Sequence, residues 1–217
     1  MPFAGYGTHG GACLTSAICA GASAVIKRGI VSMMVSAAAL FSLGAKAGVP
    51  EDPGMRMVAK ENYGGARAYF QGLLKGDPRD AAAAAGMATL ELTRGNNESS
   101  VEWARKAIEL APTNAAYRML LGVAYGQYVR DVNPLSQLGI AYKVRDSFEQ
   151  AVQLAPDSAE AHAGLAKYYI LAPGIAGGST RKAEEQLAAL DRLDAAQAAA
   201  VRATLAQQHK DLAKTED

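Results

Sequence analysis

Cysteine is nearly absent from this chain, and its placement narrows the chemistry further. Both cysteines, Cys13 and Cys19, fall in the first twenty residues, so the rest of the chain can hold neither a disulfide framework nor a thiolate metal site. Aromatic residues are scarce at 6%, although 50% of the chain is hydrophobic. The alternating β-branched runs that strands require are missing as well. Alanine-rich stretches stand in their place and favour helices packed closely through small side chains. Charge of one sign is also lacking: the formal net charge is +1, which excludes the basic footprint of a nucleic-acid-binding protein. His9, His162 and His209 stand singly without ligand spacing, so no metal set is expected. No catalytic set and no cofactor motif can be assembled either, and the expectation is a protein that is not an enzyme.

At 217 residues the chain suits one domain with a real core. Its start has a separate character. From Lys27 it reads KRGIVSMMVSAAALFSLGAKAGVP, a basic pair, an apolar stretch, and small residues at Ala45 and Ala47. That is the order of a secretory signal. Residues 1–47 are therefore expected to form a leader cleaved after Ala47, and 48–217 the mature domain, periplasmic or secreted. The alternative is an uncut anchor, but the apolar run falls short of the roughly 20 residues of a spanning helix. No stable membrane span is expected after cleavage. Residues 1–26 make an unusually long Gly/Ala/Ser-rich preface, which suggests a true start further downstream. Removing 1–47 leaves 19 basic against 21 acidic residues, a net charge of −2.

Three segments of the mature chain end alike: ARAYFQGLLKGDP at Pro78, ARKAIELAP at Pro112 and SFEQAVQLAP at Pro156. Pro78 and Pro112 lie 34 residues apart. Counted from each proline, the eighth residue of the following helix is small, at Ala88, Gly122 and Ala166, and the seventh is large and apolar, at Met87, Leu121 and Leu165. The eleventh is Tyr125 and Tyr169 in two units, with Glu91 breaking the pattern in the first. The second helices repeat a series at Ala66/Phe70/Leu73, Ser100/Ala104/Ala107 and Val144/Phe148/Ala151. This joint register, over roughly residues 61–195, resembles the tetratricopeptide repeat family. The resemblance implies an all-α right-handed superhelix of three full repeats, an N-terminal half-repeat and a C-terminal capping helix. More loosely, the chain is similar to small exported bacterial proteins of that kind.

Two stretches depart from the period. Pro112 and Pro156 are 44 residues apart, ten more than the repeat, and the surplus lies in VRDVNPLSQLGIAYK. Asn133-Pro134 should end one helix. Leu135, Leu138 and Ile140 are too apolar for a solvated loop, so the 133–140 insertion is expected to extend the next helix onto a neighbouring unit. A lip that grips a partner is the alternative. The second departure, LAPGIAGGST over residues 171–180, has the look of a phosphate loop. Gly174 and Gly178 are too close for that motif and no strand precedes them. The expectation is an enlarged turn between two helices, with Ser179 or Thr180 as cap.

At the ends, residues 51–61 are too short and too broken for a full helix, and AAQAAAVRATLAQQHKDLAKTED reads as a cap over the last apolar face. The family resemblance further implies a concave groove lined by the first helix of each unit. By register its lining includes Thr89, Leu92, Met119, Val123, Gln127, Lys167 and Ile170. A known groove chemistry of the family, a Lys/Asn/Arg clamp on a C-terminal carboxylate, is not matched, because Gly86, Leu120 and Gly164 stand at its asparagine positions. His162 is expected to pack rather than react, and Trp103 likewise. The function expected is an exported adaptor that binds a protein or peptide in the groove. The alternative is a structural or assembly subunit of an envelope complex, using the end faces or the insertion; a homo-oligomer is compatible with either.

Overall fold

The computed structural model describes residues 52–213, so the leader, its cleavage after Ala47 and the cysteines lie outside the described residues. Among the described residues there are nine α-helices and no strand. They are α1 Pro53–Ala59, α2 Tyr63–Gly76, α3 Ala81–Thr93, α4 Asn97–Leu110, α5 Ala115–Tyr128, α6 Pro134–Leu154, α7 Ala159–Leu171, α8 Thr180–Leu193 and α9 Ala195–Ala213.

The repeat is visible first in its turns. Asp77, Ala111 and Ala155 end α2, α4 and α6, and each donates its backbone N–H to a carbonyl four residues back, at Leu73, Ala107 and Ala151. Pro78, Pro112 and Pro156 follow, with φ already fixed for a tight turn. Each turn closes with the N–H of Asp80, Asn114 or Ser158 on the carbonyl that preceded the proline, at 3.1, 3.2 and 3.0 Å. The same three residues then cap α3, α5 and α7 through their side chains. One short sequence pattern thus stops a helix, reverses the chain and starts the next helix.

The odd-numbered helices pack side by side in the order α1, α3, α5, α7, α9, and the even-numbered ones back them. Between the rows lies the core. Met87, Ala88, Leu121, Gly122, Leu165 and Ala166 are all buried, as are Ala66/Phe70, Ser100/Ala104/Ala107 and Val144/Phe148/Ala151. Leu73 alone of those series is only half-buried. The series continues as Ala183/Leu187/Leu190 in α8. Two phenylalanines act as wedges. Phe70 presses on Gly86 of α3, where a Cβ would come within 2.2 Å of its ring, and Phe148 presses on Gly164 of α7 at 2.6 Å. Only glycine lets these helices approach so closely.

Glu91 is explained by its partners. It is 2% exposed and pairs with Arg67 of α2 and, at 3.9 Å, with Arg94. The amide of Asn96 donates to it at 2.6 Å. A buried carboxylate needs such partners to offset its desolvation. Tyr169, at the same register, instead donates its hydroxyl to Glu149 at 2.6 Å.

Both departures from the period take the expected form. α6 is one continuous helix of 21 residues, with Pro134 in its first turn and the Asn133 side chain capping Ser136 N–H. Gln137, Ile140 and Ala141 of the extension are buried, whereas Leu135 is 94% exposed. Residues 171–180 form a turn between α7 and α8, with one 3-10 turn at Gly174–Ala176. Gly177 takes φ 87°, and a Cβ on Gly178 would lie 1.8 Å from the Ala172 carbonyl oxygen. Tyr168 donates its hydroxyl to Ala176 O, Tyr142 of the extended helix donates to Ile175 O at 2.9 Å, and Ser179 caps α8. The long helix and the long turn therefore brace each other across two repeats.

At the ends, the half-repeat keeps a short helix of its own, α1 of seven residues, which sequence reading passed over because of its length. α9 covers α7 and α8. Ala198 and Val201 are buried, and Arg202 forks onto Asp191 of α8.

Candidate peptide-binding groove

The side-by-side row of α3, α5 and α7 defines one inner surface, because residues three and four apart on a helix share a face. On α3 the strip runs through the exposed Ala82 and the half-buried Ala85 and Leu92. On α5 it runs through the exposed Ala116 and the half-buried Met119, Val123 and Gln127. Gln127 accepts a hydrogen bond from Arg130, which fixes its amide at the edge of the strip.

Two expected lining residues contribute no surface. Thr89 is 6% exposed and its hydroxyl is spent on the Ala85 carbonyl at 3.0 Å. Ile170 is 4% exposed and belongs to the main hydrophobic cluster. For Ile170 the reason lies in α7 itself, which touches α5, α6, α8 and α9. From Ala161 to Leu171 every residue of it except Lys167 is buried. The groove is thus open along α3 and α5 and closes at α7.

Lys167 sits where it closes. It is half-buried, and burial alone holds its ammonium below the usual lysine range. Among the described residues no carboxylate forms an ion pair with it. Gly86 and Gly164, which stand at the clamp's asparagine positions, face the Phe70 and Phe148 rings. A glycine opposite a phenylalanine one helix earlier was the sequence signal for that close approach.

His162 is a packing residue at 7% exposure, its ring nitrogens 2.8 Å from Gln186 Oε1 and 2.9 Å from Pro156 O. Trp103 is half-buried and joins the two hydrophobic clusters, with Lys106 stacked 5.2 Å from its ring centre. Among the described residues no group of His, Cys, Asp and Glu gathers in a way that could hold a metal ion. None of the described helices is long and apolar enough to cross a membrane.

Repeated helix pairs, one turn pattern and a shared inner face define an all-α helical-repeat protein. Residues 57–123 match the family model of the tetratricopeptide repeat. Over those residues the chain is similar to that repeat, and the fold of the described residues is like that of tetratricopeptide-repeat proteins. A search of the curated proteins finds no match. Among solved structures the chain is similar to a thermophilic TPR protein of Thermus thermophilus, at 22% identity and TM-score 0.60, covering 73% of this chain and 79% of that one. It is also similar to MamA, at 18% identity and TM-score 0.53, covering 76% of this chain and 99% of that one. A MamA from Desulfovibrio magneticus RS-1 matches at 21% identity and TM-score 0.51, covering 66% and 73%. At these identities the likeness is one of fold.

Proposed function

We propose that this protein is an exported adaptor that binds a protein or peptide segment in the groove along α3 and α5. The observation that carries this reading is that Leu92, Met119 and Val123 stand half-exposed on the neighbouring helices α3 and α5, while Lys167 on α7 forms no ion pair among the described residues. An amphipathic helix or an extended segment would bury this strip, and Met119 adapts to irregular partners. An acidic group on the same segment would meet Lys167 and offset its desolvation. The Lys27–Ala47 leader supports export to the periplasm or beyond the cell.

The test is co-purification of the chain from crosslinked envelope extract beside a Met119→Glu/Val123→Glu variant, with helicity and unfolding midpoint matched first. A partner held by the parent and lost by the variant supports the groove. Retention of the same partner by the variant sinks it.

A second reading has its own observation. Leu135 and Ile175 are 94% and 66% exposed, and they belong to the braced insertion and turn. In this reading the chain is an assembly subunit that docks through that flank. A Leu135→Glu/Ile175→Glu variant that loses its partners while the groove variant keeps them would favour it.

A further inference from the structure

On the opposite face of α5 from Met119 and Val123 lies a solvent-open cavity of about 300 Å³ between α4, α5 and α6. Arg105 and Glu109 enter it from α4, Arg118 from α5 and Lys143 from α6. Ile108, Leu121 and Tyr125 form its apolar wall. Three cations face one carboxylate, a net charge of +2, and among the described residues none of the four takes part in an ion pair. Arg118 reaches the Pro112 carbonyl with one terminal nitrogen at 3.4 Å. Its Nε is buried and has no acceptor among the described residues, a state that ordinarily costs about 1–3 kcal/mol. Lys143 lies over the Tyr125 ring, 5.6 Å from its centre.

The register explains why Arg118 lacks an acceptor. His162 stands at the same helix position one repeat later and satisfies its second nitrogen with Gln186. Matching Val144/Phe148/Ala151 to Ala183/Leu187/Leu190 puts Ser147 opposite Gln186. Ser147 is too short to reach across, and its hydroxyl donates to the Lys143 carbonyl of its own helix at 2.6 Å.

We propose that this inter-repeat cavity binds a phosphate dianion, free or as a small phosphomonoester. Two guanidinium forks and an ammonium match phosphate oxygens. A phosphomonoester is close to dianionic at neutral pH and so balances the net charge of the walls, which a carboxylate would leave half-compensated. The Ile108, Leu121 and Tyr125 wall takes the organic part of an ester.

The experiment is calorimetric titration of the full chain with inorganic phosphate, phenyl phosphate and acetate at matched ionic strength, repeated on Lys143→Gln, Arg105→Gln and Glu109→Gln. These three side chains are exposed, so their variants keep the fold, and helicity confirms it. Saturable binding of phosphate or its phenyl ester is expected, with acetate weaker. Loss of either cation should weaken it by about tenfold or more, the size of one charge-assisted hydrogen bond. Glu109→Gln should tighten it severalfold. A tighter phenyl ester assigns the apolar wall to an organic group, and equal affinities assign the site to inorganic phosphate. The proposal is overturned by the absence of saturable binding, by equal binding of acetate, or by titrations that the Lys143 and Arg105 variants leave unchanged.

Discussion

His162 and Arg118 hold the same place in successive repeats, and each sends a nitrogen back to the carbonyl of the proline six residues earlier. Beyond that they diverge. In the later repeat Gln186 completes the histidine and the position is closed, at 7% exposure. In the earlier one a buried guanidinium nitrogen has no acceptor among the described residues, and three cations gather around a cavity with no ion pair among those residues. The scaffold tolerates either arrangement because the proline turn and the helix caps fix the backbone independently of these side chains. A repeat can therefore close a position for stability or leave it open for a ligand, at no cost to the architecture.

That contrast can be broken from either side. His162→Ala removes a buried ring and leaves the Gln186 amide and the Pro156 carbonyl without their partner, so it should cost about 2–4 kcal/mol in urea unfolding. Gln186→Ala leaves the ring but takes its partner, and about 1–2 kcal/mol should be lost. Arg118→Met in the open repeat should cost under about 1 kcal/mol, since it gives up one long hydrogen bond and relieves an unsatisfied nitrogen. Equal losses at His162 and Arg118 would erase the distinction.

The smallest effect lies at alkaline pH. Burial pushes the Tyr168 phenol from its ordinary 10.0 up to about 12, and burial followed by the Glu149 hydrogen bond raises Tyr169 as well. A raised folded-state value means that the stabilising contribution is full below pH 10.0 and is lost as pH rises toward 12. Unfolding midpoints should fall across that window while tyrosinate absorbance grows. Tyr168→Phe should flatten the fall, and an unchanged slope would remove Tyr168 from the account.

Much of this was legible in the sequence, because it is written at short range. The prolines and the Asp80, Asn114 and Ser158 caps mark the turns within a few residues. The seventh and eighth helix positions mark the core, and Asn133-Pro134 marks the start of the long helix. What escaped depends on neighbours far along the chain. Glu91 looked like a broken position because its partner Arg67 lies 24 residues away on another helix. Thr89 and Ile170 were assigned to the groove because periodicity gives the face of a helix but not how tightly the next helices enclose it. Arg118 Nε lacks an acceptor where Ser147 spends its hydroxyl within its own helix, and an absent contact leaves no pattern to read.

If the open strip on α3 and α5 meets the partner, as proposed, a crosslinker placed in that strip should capture it. The most direct test is to place a photocrosslinking amino acid at Val123 in one variant and at Leu135 in another, then irradiate envelope-derived material. A discrete adduct is expected from position 123, suppressed by Leu92→Glu, and none from position 135. An adduct from position 135 with none from 123 would contradict it and move the binding surface to the braced flank.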